Sequence, residues 1–383
     1  MTRRVLPLLS LSVFLRVAGV SLLLPGFVHY GESLGGTTGQ AGLAFGAYPL
    51  ALAVFILPLS ALSDRIGRKP VMVGGLVLSG VGAMLAAAAP TIWLLMAGRF
   101  VQGSGAINGV ALAFAGEVGD PDKRARRMAI LGASAGGGFA IGMIIGALLN
   151  PLIGVPGLLL GHGGATLLVA ALMARARPHG HAAPHEDRLH AGPLGWRVWV
   201  LALVGTGLNF SLTGLLFLSP LLVAKAAPGL PYAWALIIMV IPGGFGMFVT
   251  SRLADAGHAR AVGLGAGALF AVGPLAFLAP VGAPLLLAAG VVFFIGHSAL
   301  TALVPALVST FAPAARRGLA QGTQSAFQYA GSAAGSAAFS ALYPRAAPMA
   351  ALFLLAGVGL ALGTAWVSER RVLVGRKARL AAD

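Results

Sequence analysis

Twelve apolar stretches, separated by short segments rich in charge, proline or glycine, dominate this 383-residue sequence. Each is close to the roughly 20 residues that an α-helix needs to cross the hydrocarbon core of a bilayer. They fall near 5–28, 40–63, 71–89, 92–116, 127–149, 152–174, 198–223, 232–251, 261–279, 283–310, 318–341 and 347–368. The sixth carries His162 among four glycines, and the eighth is interrupted by Pro242, Gly243 and Gly244; losing either would change the parity of the topology. Charged residues make up 9% of the chain, where soluble domains carry about 25%, too little to cover a water-soluble core. Twelve spans leave about 11 residues for each connection, so there is no room for a sizeable soluble domain. The pattern predicts an all-α polytopic membrane protein.

The chain holds 26 basic and 10 acidic residues, a formal charge of +16. In a soluble protein that excess would point to nucleic acid; here its placement points to topology, because basic residues near helix ends stay cytoplasmic. With both termini inside, 22 of the 26 fall in cytoplasmic segments: Arg3 and Arg4; Arg65, Arg68 and Lys69; Lys123 to Arg127; Arg175 to Arg197; Arg252 and Arg260; Arg316 and Arg317; and Arg370 to Arg379. Lys225 and Arg345 lie outside, and Arg16 and Arg99 lie within predicted spans. Absent cysteine excludes disulfides, thiolate metal sites and cysteine nucleophiles. Arg3 and Arg4 before an apolar run resemble a signal peptide, but the run is too long, contains Arg16 and lacks a cleavage site, so it reads as a retained first helix. The longest connection, 175–197, separates an N-terminal six-helix bundle (1–174) from a C-terminal one (198–369), followed by a basic tail (370–383). Faint internal symmetry supports the duplication: Ser63 to Lys69 follows the second span, and Leu253 to Arg260 follows the eighth.

The most distinctive segment is Leu62-Ser63-Asp64-Arg65-Ile66-Gly67-Arg68-Lys69-Pro70, a tight charged turn between two long apolar runs. Gly67 lets the chain reverse, the basic residues hold the turn on the anionic face, and Asp64 can reach an arginine or a helix N-terminus. Those groups form a latch that can close and open; the alternative is an ordinary topogenic loop. The turn resembles motif A of the major facilitator superfamily, Gly-x-x-x-Asp-Arg-x-Gly-Arg-Arg/Lys. Arg99-Phe100-Val101-Gln102-Gly103-Ser104-Gly105 resembles motif B of the proton-coupled drug antiporters, and Arg16 with Leu24-Pro25 resembles the first helix of their bacterial YajR-like branch. Together these cover most of residues 10–150; in the second half the likeness is one of hydropathy and the Asp255 turn. The resemblance implies a major facilitator fold of two pseudo-symmetric bundles. It also implies a motif A latch of Asp64, Arg65, Gly67 and Arg68 that stabilises the outward-open state with Glu117 as partner of Arg68, and a role for Arg99 in proton transfer.

Arg16 and Arg99 should face the bundle interior, serving substrate or proton coupling or clamping helices through carbonyls and Gln102. All ten carboxylates fall in loops, tails or helix ends. Without an embedded carboxylate, proton coupling must use Glu32 near the outer mouth, His162 or His297, or not occur, although a lone intramembrane histidine is commonly just packed; Arg99 joins these candidates only as what the resemblance implies. Gln321, Gln324 and Gln328 recur on one face of the eleventh span, Thr206, Asn209 and Thr213 on the seventh, and His297 with Thr301 on the tenth. With Arg16 and Gln102, these read as polar anchors of a substrate cavity; interhelical hydrogen bonding is the alternative. Phe210, Phe217, Phe293 and Phe294 would make that cavity apolar and suited to amphiphiles. Gly132, Gly136, Gly138, Gly142 and Gly146 occupy the fifth span, where the antiporters' motif C would end in Gly-Pro; here Ala147 follows Gly146.

Other matches fail on context. Gly132-Ala133-Ser134-Ala135-Gly136 fits a nucleophile elbow but has no preceding strand. His185 and His190 are five apart and do not form H-E-x-x-H, no P-loop occurs, and the histidines at 179, 181, 185 and 190 read as a solvated linker rather than a metal site. The sequence thus predicts a monomeric secondary transporter, not an enzyme, in the bacterial inner membrane, with no cofactor, metal or nucleic acid. Its partners are a small-molecule substrate, protons and lipid, and it exports amphiphilic compounds by rocking two halves around a midplane cavity. The same fold moving an anionic solute through Arg16 and Arg99, and a non-transporting receptor or scaffold, are the alternatives.

Overall fold

A computed structural model describes residues 5–118, 124–176, 193–279, 281–313 and 316–368. The described residues form helices joined by short turns, without strands, and the chain divides into two compact units, Met1–His190 and Ala191–Asp383. The histidine-rich segment, the basic tail, Asp120 and Asp122 lie outside the described residues.

Unit 1 comprises α1 (Val5–Ser21), α2 (Phe27–Ser33), α3 (Thr38–Ile66), α4 (Arg68–Ala87), α5 (Ile92–Ser104), α6 (Asn108–Glu117) and α7 (Arg124–Arg175). The first span, expected to be continuous to 28, ends at Ser21. Leu24 donates from its N–H to the Ser21 carbonyl, tightening the chain to i→i+3 bonding just before Pro25, whose ring a regular helix would drive into that carbonyl. The fourth span is interrupted at Gly105, between α5 and α6. Straight, the 52 residues of α7 would run to about 78 Å, more than twice the hydrocarbon core. Gly154, at φ 65° and ψ 177°, breaks it into the expected fifth and sixth spans. Pro151 stands in the last turn before the break and Pro156 in the first turn after it, where proline is tolerated.

Unit 2 comprises α8 (Trp196–Ala226), α9 (Tyr232–Leu253), α10 (Ala259–Val272), α11 (Ala283–Phe311), α12 (Arg317–Leu342) and α13 (Ala346–Val367). A π-helical turn at Ala254–His258 precedes α10, and a 3₁₀ segment at Gly273–Leu278 follows it. Seven of the described helices are long and apolar enough to cross a membrane, α7 among them, and α1 and α9 supply shorter apolar helices.

The two units pack by one scheme. In unit 1, α1 lies on α7, α4 on α7 and α3 on α5; in unit 2, α8 lies on α12, α10 on α13 and α9 on α11. In span order each unit pairs first with fifth, third with sixth and second with fourth. Apolar side chains gain little from leaving lipid for a helix interface, so close contact must come from small residues. Gly138 and Gly142 of α7 sit against the backbone of α1 at Phe14 and Ala18, Gly146 sits against Leu22 just past its end, and Gly331 and Gly335 of α12 sit against the backbone of α8 at Thr206 and Phe210. One apolar cluster in unit 1, including Leu9, Met72, Leu76, Phe114, Val118 and Met173, ties α1, α4, α6 and α7 together.

Candidate functional site

The α3–α4 turn gathers its charges around one guanidinium. Gly67, at φ 98° and ψ 153°, ends α3 and starts α4, which places Asp64 in the last turn of one helix and Arg68 in the first turn of the next. The Arg68 side chain is 9% exposed. Its Nη2 lies 2.6 Å from Asp64 Oδ1 and 2.7 Å from Glu117 Oε1, its Nε donates to Glu117 Oε1 at 3.0 Å and Oε2 at 3.2 Å, and its Nη1 donates to Ser63 Oγ at 2.6 Å. Ser63 passes its own proton to the Ser60 carbonyl at 2.7 Å. One largely buried cation therefore joins α3, α4 and α6; hydrogen bonds to charged groups contribute about 1.5–3 kcal/mol each when buried, and less here, where Glu117 and Asp64 keep 23% and 35% of their side-chain surface in solvent. Arg65 is exposed in the same turn.

Sequence reading passed over two members of this arrangement. Ser63 is one. The other is Arg127, 7% exposed, whose Nε donates to the Ala115 carbonyl at 2.6 Å and whose Nη2 reaches the Gly116 carbonyl at 3.5 Å. These carbonyls close the last turn of α6, where backbone acceptors lack helical partners and the helix dipole is negative. Arg127 thereby holds the helix end that carries Glu117. Within the run Lys123 to Arg127 nothing but its distance from Glu117 sets it apart from a topogenic charge.

Deeper in unit 1, Arg99 is fully buried. A charge at that depth costs about 2.5–3.5 kcal/mol even on the lenient insertion scale. Its Nη1 donates to Gln102 Oε1 at 2.5 Å, and its guanidinium carbon stands 4.6 Å from the Tyr48 ring centroid and 5.7 Å from that of Phe27. Tyr48 in turn donates to the Arg16 carbonyl of α1 at 3.3 Å. His162 of α7 is 6% exposed and lies against Gly19, one turn along α1 from Arg16. Arg16, 8% exposed, is buried as expected, and Glu32 accepts from Thr38 Oγ1 at 2.6 Å at the exposed start of α3.

In unit 2 the polar residues expected to line a cavity lie mainly against neighbouring helices. Gln321 donates to the Pro305 carbonyl and to Ser309 Oγ of α11, both at 2.8 Å. Gln324 and Gln328 lie against Gly205 of α8, and Thr206 donates to the Phe327 carbonyl at 3.2 Å. Thr213 returns its proton to the Asn209 carbonyl at 2.9 Å. His297 Nε2 is 3.3 Å from Thr301 Oγ1, and its ring stacks on Phe293 at 6.0 Å with Phe270 and Phe294 beside it. Phe210 packs on Phe339 and Phe217 on Tyr343.

A charge-locked turn after the second of six paired spans, in a chain built twice on one packing scheme, has a counterpart among known families. The sequence pattern of the Major Facilitator Superfamily matches residues 9–255. The chain belongs to that superfamily. The chain is accordingly a multi-pass membrane protein of all-α major facilitator fold. It is 40% identical over 142 residues to the inner membrane transport protein YajR of Escherichia coli, a stretch covering 37% of this chain and 31% of YajR. It is 32% identical over 145 residues to a class C tetracycline resistance protein of Escherichia coli, covering 37% of each. With the multidrug resistance protein MdtL of Shewanella oneidensis it shares 30% identity over 181 residues, 46% of each. The chain thus spans between about a third and a half of the length of these relatives. Two solved structures share the fold: the human organic anion transporter MFSD10, at 19% identity and a TM-score of 0.68 over 96% of this chain and 99% of that one, and a bacterial homologue of the human lysosomal transporter Spinster, at 14% and 0.73 over 97% and 95%.

Proposed function

We propose that the protein is a proton-coupled exporter of small amphiphilic compounds, working by alternating access in a bacterial inner membrane with both termini in the cytoplasm. The observation that carries this reading is the Arg68 network: a cation shared by Asp64, Glu117 and Ser63 across three helices can be broken and remade as those helix ends separate. Relatives named for tetracycline and multidrug resistance support export of compounds foreign to the cell. The YajR likeness supports the inner membrane.

In this reading Asp64, Arg65, Gly67, Arg68 and Glu117 gate the transporter, and Arg99, Glu32, His162 and His297 are the groups available for proton coupling. Arg16, Gln102, Thr206, Asn209, Thr213, Thr301, Gln321, Gln324 and Gln328 are the polar residues proposed to meet substrate once the helices that several of them now pack against part. Proteoliposome efflux of a lipophilic cation with an imposed pH gradient tests it. Efflux that rises with the gradient and falls in Asp64→Asn supports the reading, and efflux indifferent to both overturns it. A second reading, transport of an anionic solute, draws on Arg16 and Arg99, since no carboxylate is buried among the described residues. Efflux of an anionic dye in preference to the cation would favour it.

A further inference from the structure

The buried polar groups around Arg99 are almost all donors. Arg99 Nε and Nη2 and Gln102 Nε2 have no hydrogen-bond partner, and neither ring nitrogen of His162 has one. The three side chains are 0%, 1% and 6% exposed, so bulk water does not satisfy them. They belong to one patch of unit 1. The Arg99–Gln102 bond fixes the amide against the guanidinium. Tyr48, whose ring faces Arg99, and His162 both reach the Arg16–Gly19 turn of α1.

The patch is positive and lacks an acid, since no aspartate or glutamate is buried among the described residues. The faces of Tyr48 and Phe27 offset part of the charge but accept none of the N–H bonds in question. Unbonded donors around an uncompensated cation select an anion over a second cation or an apolar group. The walls set its size. Gly82 of α4 presses on the backbone of Gln102, and even a Cβ at Gly19 would stand 2.5 Å from His162 Nε2. Packing this close leaves no space for an organic molecule, so any ligand held by these donors is an ion of one or a few atoms.

We propose that unit 1 binds a small inorganic anion of the halide class against Arg99, held by Arg99 Nε and Nη2, Gln102 Nε2 and an N–H of His162, as the counter-ion of a cation the fold otherwise leaves alone. The inference does not depend on the transport reading, and its test uses no flux.

The purified full-length protein in nanodiscs, in sodium gluconate buffer, is titrated with sodium chloride or bromide at constant ionic strength while its melting midpoint is followed. A saturable rise of a few degrees in the wild type, lost in Arg99→Gln and weakened in Gln102→Leu, supports the site. Coincident curves in halide and gluconate, or a rise that persists unchanged in Arg99→Gln, overturn it. Should Arg99→Gln fail to fold, bromide-soaked wild-type crystals decide: an anomalous peak within hydrogen-bond distance of Arg99 supports the site, and none there overturns it.

Discussion

The turns at Gly67 and Gly257 occupy the same place in the two units, each after the second span, and take nearly the same φ, 98° and 94°. Beyond that they diverge. At ψ 153° Gly67 sits in a region essentially reserved for glycine, whereas at ψ 7° Gly257 is near the left-handed helical region that asparagine also visits. After Gly67 comes Arg68, facing two carboxylates and a serine; after Gly257 comes His258, and α11, the counterpart of α5 and α6, ends in Ser309-Thr310-Phe311 without an acid. The repeat has kept the bend and the helix pairing while the charged network is elaborated in unit 1. Backbone geometry and side-chain chemistry have thus been separable within one architecture.

Substitutions at matched positions can break that contrast. Arg68→Gln leaves Asp64 and Glu117 without their shared cation, and we expect at least a tenfold loss of proteoliposome flux together with a melting midpoint several degrees lower. His258→Gln should leave both close to wild type; equal damage at the two positions would dissolve the distinction. Arg127→Gln removes the donors at the Ala115 and Gly116 carbonyls, with an expected cost of about 1–3 kcal/mol in denaturant unfolding. Lysine should recover only part of that, since an ammonium cannot reproduce the guanidinium fork.

Asparagine sharpens the backbone half of the comparison. Gly67→Asn should cost about 1–3 kcal/mol, while Gly257→Asn should change the midpoint by no more than a degree or two; the reverse order would contradict the two ψ values. The smallest effect is expected for Ser63→Ala, within about 1 kcal/mol, visible as a modest fall in thermal midpoint with flux largely retained.

Much of the architecture was legible because lipid imposes a length and a composition on every span. What escaped were the interruptions. Pro25 and Gly105 both lie inside predicted spans, at 5–28 and 92–116, and hydropathy registers the side chains of a span rather than the course of its backbone. At Asn150-Pro151 the sequence signalled a break, but the break falls on Gly154, the nearby residue able to take φ 65° without a Cβ clash. In the candidate site, the spacing of Asp64 and Arg68 and the position of Glu117 at a helix end were visible in the sequence. Arg127 was not, because its partners are main-chain carbonyls, which leave no mark on composition. The glutamine stripe of α12 was readable as a stripe, yet whether amides meet a ligand or a neighbouring helix depends on how closely α8 approaches, and that is set by Gly205, Gly331 and Gly335.

Those closely keyed backbones invert the usual ranking of mutational harm. In a water-soluble domain glycine to alanine is among the mildest of changes; at Gly146 or Gly331 one methyl group would wedge apart two rods that meet main chain to main chain. The positions least able to vary in this protein are thus the ones with no side chain to lose, and an inventory of reactive groups would pass over every one of them.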